Sequence, residues 1–175
     1  MNISKQLSIC AILLFGLSAP TSATSASATL ELARKKDWVA EWSLYEEGSS
    51  CLGYTANEIT GKMFGIQFIE GMGPFVMLRI PWASSLPKEA SFLIHLEGRT
   101  YDFRGRAFGE AKPSGTMFLL PVEDLTRFSV LMQDIADGNR VIVSSLASNQ
   151  SYSLAGSKVA LDAFFECAKK IYTQD

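Results

Sequence analysis

Cys51, Cys167 and His95 are the residues of this 175-residue chain with the widest chemical repertoire. A cysteine serves as a nucleophile, a metal ligand, a buried filler or one half of a disulfide. Structural zinc takes four ligands, and two distant cysteines with a single histidine supply too few. A catalytic thiol needs a basic partner, and His95 is far from both cysteines in sequence. In an oxidising compartment an even cysteine count reads first as a disulfide. A Cys51–Cys167 bridge is therefore expected.

His95 is the one obvious general base near neutral pH. In "SFLIHLE" it falls on the side of Ser91, Leu93 and Glu97, opposite Phe92, Ile94 and Leu96, so it should lie off the apolar face. A small secreted hydrolase would have to use His95, but nothing in the chain resembles a nucleophile elbow and no catalytic residue is assigned. The glycines of "GKMFG", "GMG" and "GRAFG" lack the strand–loop–helix setting of a phosphate cradle and read as turns. No cofactor or metal is expected. Arg99, Arg104 and Arg106 form a small basic stripe, partly neutralised by Asp102. It is either a solvated sheet face or a patch for a protein partner. Among the tryptophans, Trp82 is the candidate for such a patch, whereas Trp38 and Trp42 sit in a strand pattern that reads as core.

These residues depend on the compartment and on the elements that carry them. The chain opens with "MNISKQLSICAILLFGLSAPTSATSASA". Lys5 precedes an apolar stretch from Leu7 to Leu17, and small residues follow, with Ala26-Ser27-Ala28 as an A-x-A cleavage site. That layout is a secretory signal peptide. Its apolar part is about half the length of a membrane span. Residues 1–28 thus read as a signal peptide that takes Cys10 with it, and residues 29–175 as a single secreted β-rich domain, periplasmic or secreted. The chain holds 16 basic and 18 acidic side chains, net −2. Without a basic cluster it is a poor partner for nucleic acid, and no later segment reads as a membrane span.

Period-two patterns run from Asp37 to Leu120, with Trp38, Ala40, Trp42 and Leu44 on one face, then Phe64, Ile66 and Phe68, then Phe92, Ile94 and Leu96. "TYDFRGRAF" places Tyr101, Phe103 and Ala107 inward and Asp102, Arg104 and Arg106 outward. The period changes at "PVEDLTRFSVLMQDIADGN", where Leu125, Phe128, Leu131, Met132 and Ile135 predict a helix with Glu123 and Asp124 in its first turn and Gly138 at its end. After two more strands, a last helix begins at Gly156-Ser157 with Ser157 as N-cap. Its apolar stripe is Leu161, Phe164, Phe165, Ala168 and Ile171. The expectation is a mainly β fold with two helices: an antiparallel β-sandwich, immunoglobulin-like, or a barrel with helices packed on it, held by one disulfide.

The early tryptophan-bearing strand, Cys51 in "CLGYTA" and the late "YSLAGSKVALDAFFEC", behind a signal peptide, resemble the invasion-associated locus B family of bacterial periplasmic and surface proteins. That family commonly carries a further cysteine just upstream of the one matching Cys51, where this chain has Trp42 and Ser43, so a local disulfide does not carry over. The resemblance implies an immunoglobulin-like β-sandwich without catalytic residues and a link to host-cell association. It implies a non-enzymatic envelope protein that binds another protein of the envelope or of a host surface, as an accessory to invasion or colonisation. A periplasmic inhibitor or immunity protein and the His95 hydrolase are the alternatives. Oligomeric state is not legible.

Overall fold

In a computed structural model, residues 26–57, 59–81, 87–112, 115–146 and 148–173 are described. The signal-peptide reading falls almost wholly on residues 1–25, outside the described residues, as does Trp82.

Among the described residues, ten antiparallel strands form one sheet: β1 (Ala28–Lys35), β2 (Trp38–Tyr45), β3 (Gly48–Asn57), β4 (Lys62–Ile69), β5 (Gly73–Ile80), β6 (Glu89–Leu96), β7 (Arg99–Lys112), β8 (Gly115–Pro121), β9 (Arg140–Ser144) and β10 (Asn149–Ser153). Helix α1 (Leu125–Asp137) lies between β8 and β9, and α2 (Ser157–Tyr172) follows β10. The spatial order is β1-β2-β3-β4-β5-β8-β7-β6-β9-β10. Five strands meander, the chain crosses to β6, and two hairpins lead back to β5. Helix α1 then carries the chain from β8 to β9.

The sheet is open, so the barrel form is set aside, and its two halves turn toward each other. Trp38 at the start of β2 donates its indole N–H to the carbonyl of Ser153 in β10 (2.9 Å). The rings of Phe64 in β4 and Tyr152 in β10 lie 5.7 Å apart. One apolar face therefore becomes a shared interior. Trp38, Phe64, Ile66, Leu78, Phe92, Ile94, Phe118 and Leu120 are fully buried there, at the alternate positions that the pleat directs to one side. Phe92 and Phe118 meet edge to face at 5.0 Å, a favoured aromatic geometry.

Both helices cover this interior. Helix α1 buries Phe128, Leu131, Met132 and Ile135. Asp124 is its N-cap rather than a first-turn residue, accepting from the backbone N–H groups of Thr126 (2.8 Å) and Arg127 (3.0 Å). Leu125 starts the helix exposed, because it precedes the turn that faces the core. Helix α2 buries Ala160, Leu161, Phe164, Cys167 and Ile171, while Phe165 is 44% exposed. The buried stripe is rotated from the expected one: Phe165 leaves it, Ala168 is half-buried, and Ala160 and Cys167 join it. Ser157 is not the cap either. Gly156, with φ 90°, takes that place, and the buried Ser157 hydroxyl donates to the Ile135 carbonyl at 2.8 Å, tying α2 to the end of α1. The Cys51–Cys167 disulfide is formed, with Cα atoms 5.9 Å apart, and joins α2 to β3.

Candidate functional site

Strand alternation places Asp102, Arg104, Arg106 and Phe108 of β7 on the outer face of the sheet. Opposite them, Glu89 and Ser91 of β6 pair with Arg106 and Arg104. On the other side, Leu119 and Met117 of β8 pair with Arg106 and Phe108. Pairing with β8 ends at Arg106–Leu119, while β7 continues toward Arg99. As the chain leaves β8 for α1, it leaves a cleft of about 500 Å³ against this stretch of β7. Arg104, Arg106, Arg127, Glu89, Asp102, Glu123 and Asp124 line it.

The charges in the cleft have different commitments. Asp124 is engaged in capping α1. The Arg127 guanidinium lies over the rings of Phe103 (5.5 Å) and Tyr101 (5.8 Å), within the range of a cation–π contact. Arg104 and Arg106 make no ion pair among the described residues. Beside them Phe108 is 64% exposed. Guanidinium groups next to an exposed aromatic ring and half-buried Leu119 and Met117 have the composition of protein-binding surfaces. The mixed signs in the cleft disfavour a phosphate-rich ligand.

Arg99 leaves the expected stripe. It pairs with Asp134 of α1 at 2.8 Å, and the Tyr101 hydroxyl donates to the same carboxylate at 2.6 Å. Burial and then the Asp134 hydrogen bond raise the Tyr101 phenol above its usual range. This trio anchors α1 on the sheet. Asp134 lies more than thirty residues from the other two in sequence, so spacing gave no sign of it.

His95 lies half-buried on the outer side of β6, as the alternation predicts. Its Nδ1 is 3.0 Å from the Thr100 hydroxyl and its Nε2 3.2 Å from the Ser144 hydroxyl. A general-base histidine acting on serine is ordinarily held by a carboxylate that stabilises the imidazolium. Here a threonine stands in that position, and His95 does not line the cleft beside β7. Among the described residues no group of three or more His, Cys, Asp and Glu is arranged to hold a metal ion. No helix among them is long and apolar enough to cross a membrane.

A second groove, about 660 Å³, runs between β1–β2 and α2, beside the disulfide. Leu30, Leu32, Trp42 and Leu44 form its sheet side, and Ala163, Cys167 and Ile171 its helix side. Glu70 on its rim accepts from the Ser49 N–H (2.7 Å) and hydroxyl (2.8 Å), which hold its carboxyl below the usual range. Of the tryptophans, Trp38 is core and Trp42 is half-buried in this groove. Strand β1 and its leucines escaped the sequence reading. The alternation of Leu30 and Glu31 was the available signal, but it directly follows the run of small residues from Ala19 to Ala28.

No protein-family model matches the sequence, and no curated protein matches it. Among solved structures the chain is similar to the crystal structure of invasion associated protein B from Bartonella henselae. The two share 11% sequence identity and a TM-score of 0.53 over 81% of this chain and 98% of that one. The resemblance read from the Cys51 region and the last helix is thereby supported as a relation of fold.

Proposed function

We propose that the chain is a non-enzymatic protein of the bacterial envelope, periplasmic or at the surface. In this reading it binds another protein through the outer face of β6–β8, as an accessory to host-cell invasion or colonisation. The observation that carries the reading is the exposed Phe108 flanked by Arg104 and Arg106, which make no ion pair among the described residues. Phe108 with half-buried Met117 and Leu119 gives apolar surface rimmed by charged residues, the kind that marks interaction sites, and arginine and aromatic residues are the usual energetic anchors of interfaces. The disulfide suits an oxidising compartment, and the fold is similar to that of invasion associated protein B.

Paired affinity capture from envelope extract tests this reading, with wild type against Arg104→Glu/Arg106→Glu and against Phe108→Ala. A partner retained by wild type and lost by both variants is expected. Identical recovery by all three contradicts the assignment of this face.

The contact between His95 Nε2 and Ser144 favours a second reading, a secreted hydrolase with Ser144 as nucleophile. Ester hydrolysis abolished by both His95→Ala and Ser144→Ala would bring that reading forward.

A further inference from the structure

We propose that the free edge of β1 pairs with β1 of a second copy about a two-fold axis, joining two ten-stranded sheets into one. This goes beyond the binding face on β6–β8 and does not depend on it. Among the described residues, strand β1 is bonded to β2 alone. Among the described residues no backbone hydrogen bond reaches its other edge. Leu30 is 57% exposed at the mouth of the groove beside α2, and Leu32 is also exposed there. An eight-residue edge strand with two exposed leucines is a template for strand addition.

The charges on β1 select the occupant. Glu31 and Arg34 both project to the outer side, where they touch each other at 2.6 Å. An antiparallel two-fold that sets Leu32 opposite the partner's Ala33 also sets Glu31 opposite the partner's Arg34, and Arg34 opposite the partner's Glu31. The edge is therefore complementary to itself, as an isologous contact requires. On the inner side the two grooves abut, so that Leu30 and Leu32 of each copy cover the other's opening. The β-bulge between Glu31 and Ala33 bends the edge and discourages indiscriminate pairing. A symmetric partner brings the matching bend beside the axis. A foreign strand has no such built-in match, and the contact closes on itself rather than propagating.

Light scattering on the purified protein, with Glu31→Lys and Arg34→Glu, tests the proposal. Both residues are exposed, so each variant should fold, checked by circular dichroism and by the absence of free thiols. Wild type should show twice the monomer mass. Each variant places like charges opposite each other twice and should raise the dimer dissociation constant roughly tenfold or more. An equimolar mixture of the two variants should regain the dimer. The lysine introduced at position 31 of one chain then faces the glutamate introduced at position 34 of the other, and the unaltered Arg34 and Glu31 face each other, so both ion pairs return. Wild type that stays monomeric to about 1 mM (the weak limit of specific association) overturns the proposal. So does a dimer indifferent to both substitutions, a mixture that fails to reassociate, or a monomer that takes up only an unrelated peptide.

Discussion

Replacing Cys51 and Cys167 with alanine, singly and together, should destabilise the protein mainly by freeing its unfolded chain. The bridge spans 116 positions, so nearly the whole β-rich domain lies within one closed loop. In the chain-entropy model a loop of that length removes about 5 kcal/mol of unfolded-state freedom at 25 °C. Residual structure in the unfolded chain and native strain lower the realised value, and about 2–5 kcal/mol is the usual range. Cys51 is fully buried and Cys167 nearly so, so alanine is a better probe than serine. A hydroxyl stranded in that dry site would add roughly 1–3 kcal/mol of its own. Urea titration reads the result. Either single variant should lose about 2–5 kcal/mol, and the double should lose nearly the same, because the first substitution already opens the loop. The slope against urea should also rise, since an uncrosslinked chain exposes more surface on unfolding. Two small losses that add, with an unchanged slope, would refute the reasoning and leave the bridge without a structural role.

Three further outcomes follow from single sites. Gly156→Ala should cost several kcal/mol, because a β-carbon there would collide with the Lys35 carbonyl at a φ of 90°; a melting temperature equal to wild type would contradict this. His95→Ala should leave the fold and partner capture intact, losing about 1 kcal/mol for two hydroxyl contacts; loss of function at an unchanged melting temperature would bring the hydrolase forward. The carboxyl of Glu70 is held below its ordinary 4.5 by Ser49, so its contribution is fully present above that pH and is lost as pH falls through the folded-state value. Glu70→Gln should therefore be less stable than wild type at about pH 6, with the gap narrowing as pH falls below 4.5 and through the folded-state value, and a gap that stays constant down the acid limb would show that the Ser49 contacts do not discriminate charge.

Much of the fold was legible because its signals are local. The alternations at Trp38, Phe64 and Phe92 needed only the pleat, and the stripe of α1 needed only the helical period. Cys51 and Cys167 were pairable without geometry on the expectation that Cys10 is removed with residues 1–28. The misses have physical reasons. Strand β1 lies at the edge with a bulge at Leu32, so it buries no continuous face and carries no clear hydrophobic pattern. Ser157 occupies the position a cap would take, yet Gly156 adopts the left-handed conformation and frees Ser157 to bond Ile135. Phe165 looked like core by type, but α2 turns Ala160 and Cys167 toward the sheet and leaves Phe165 on the opposite, exposed flank of the stripe. At the candidate site, Arg104 and Arg106 were legible as an outward pair. The removal of Arg99 by Asp134 and the arrival of Arg127 over Tyr101 and Phe103 depend on where α1 crosses the sheet, and no sequence spacing encodes that crossing.

Site-specific photocrosslinking tests the central claim most directly. A benzophenone side chain would replace Phe108 in one strain and Ser151, on the outer face of β10, in another, both in the native host. Irradiation should yield a discrete heavier species from position 108 that contains a second protein, and none from position 151. Crosslinks of equal yield from both positions, or none from 108 in cells where the protein is abundant and disulfide-bonded, would contradict a binding role for the Arg104–Arg106–Phe108 face.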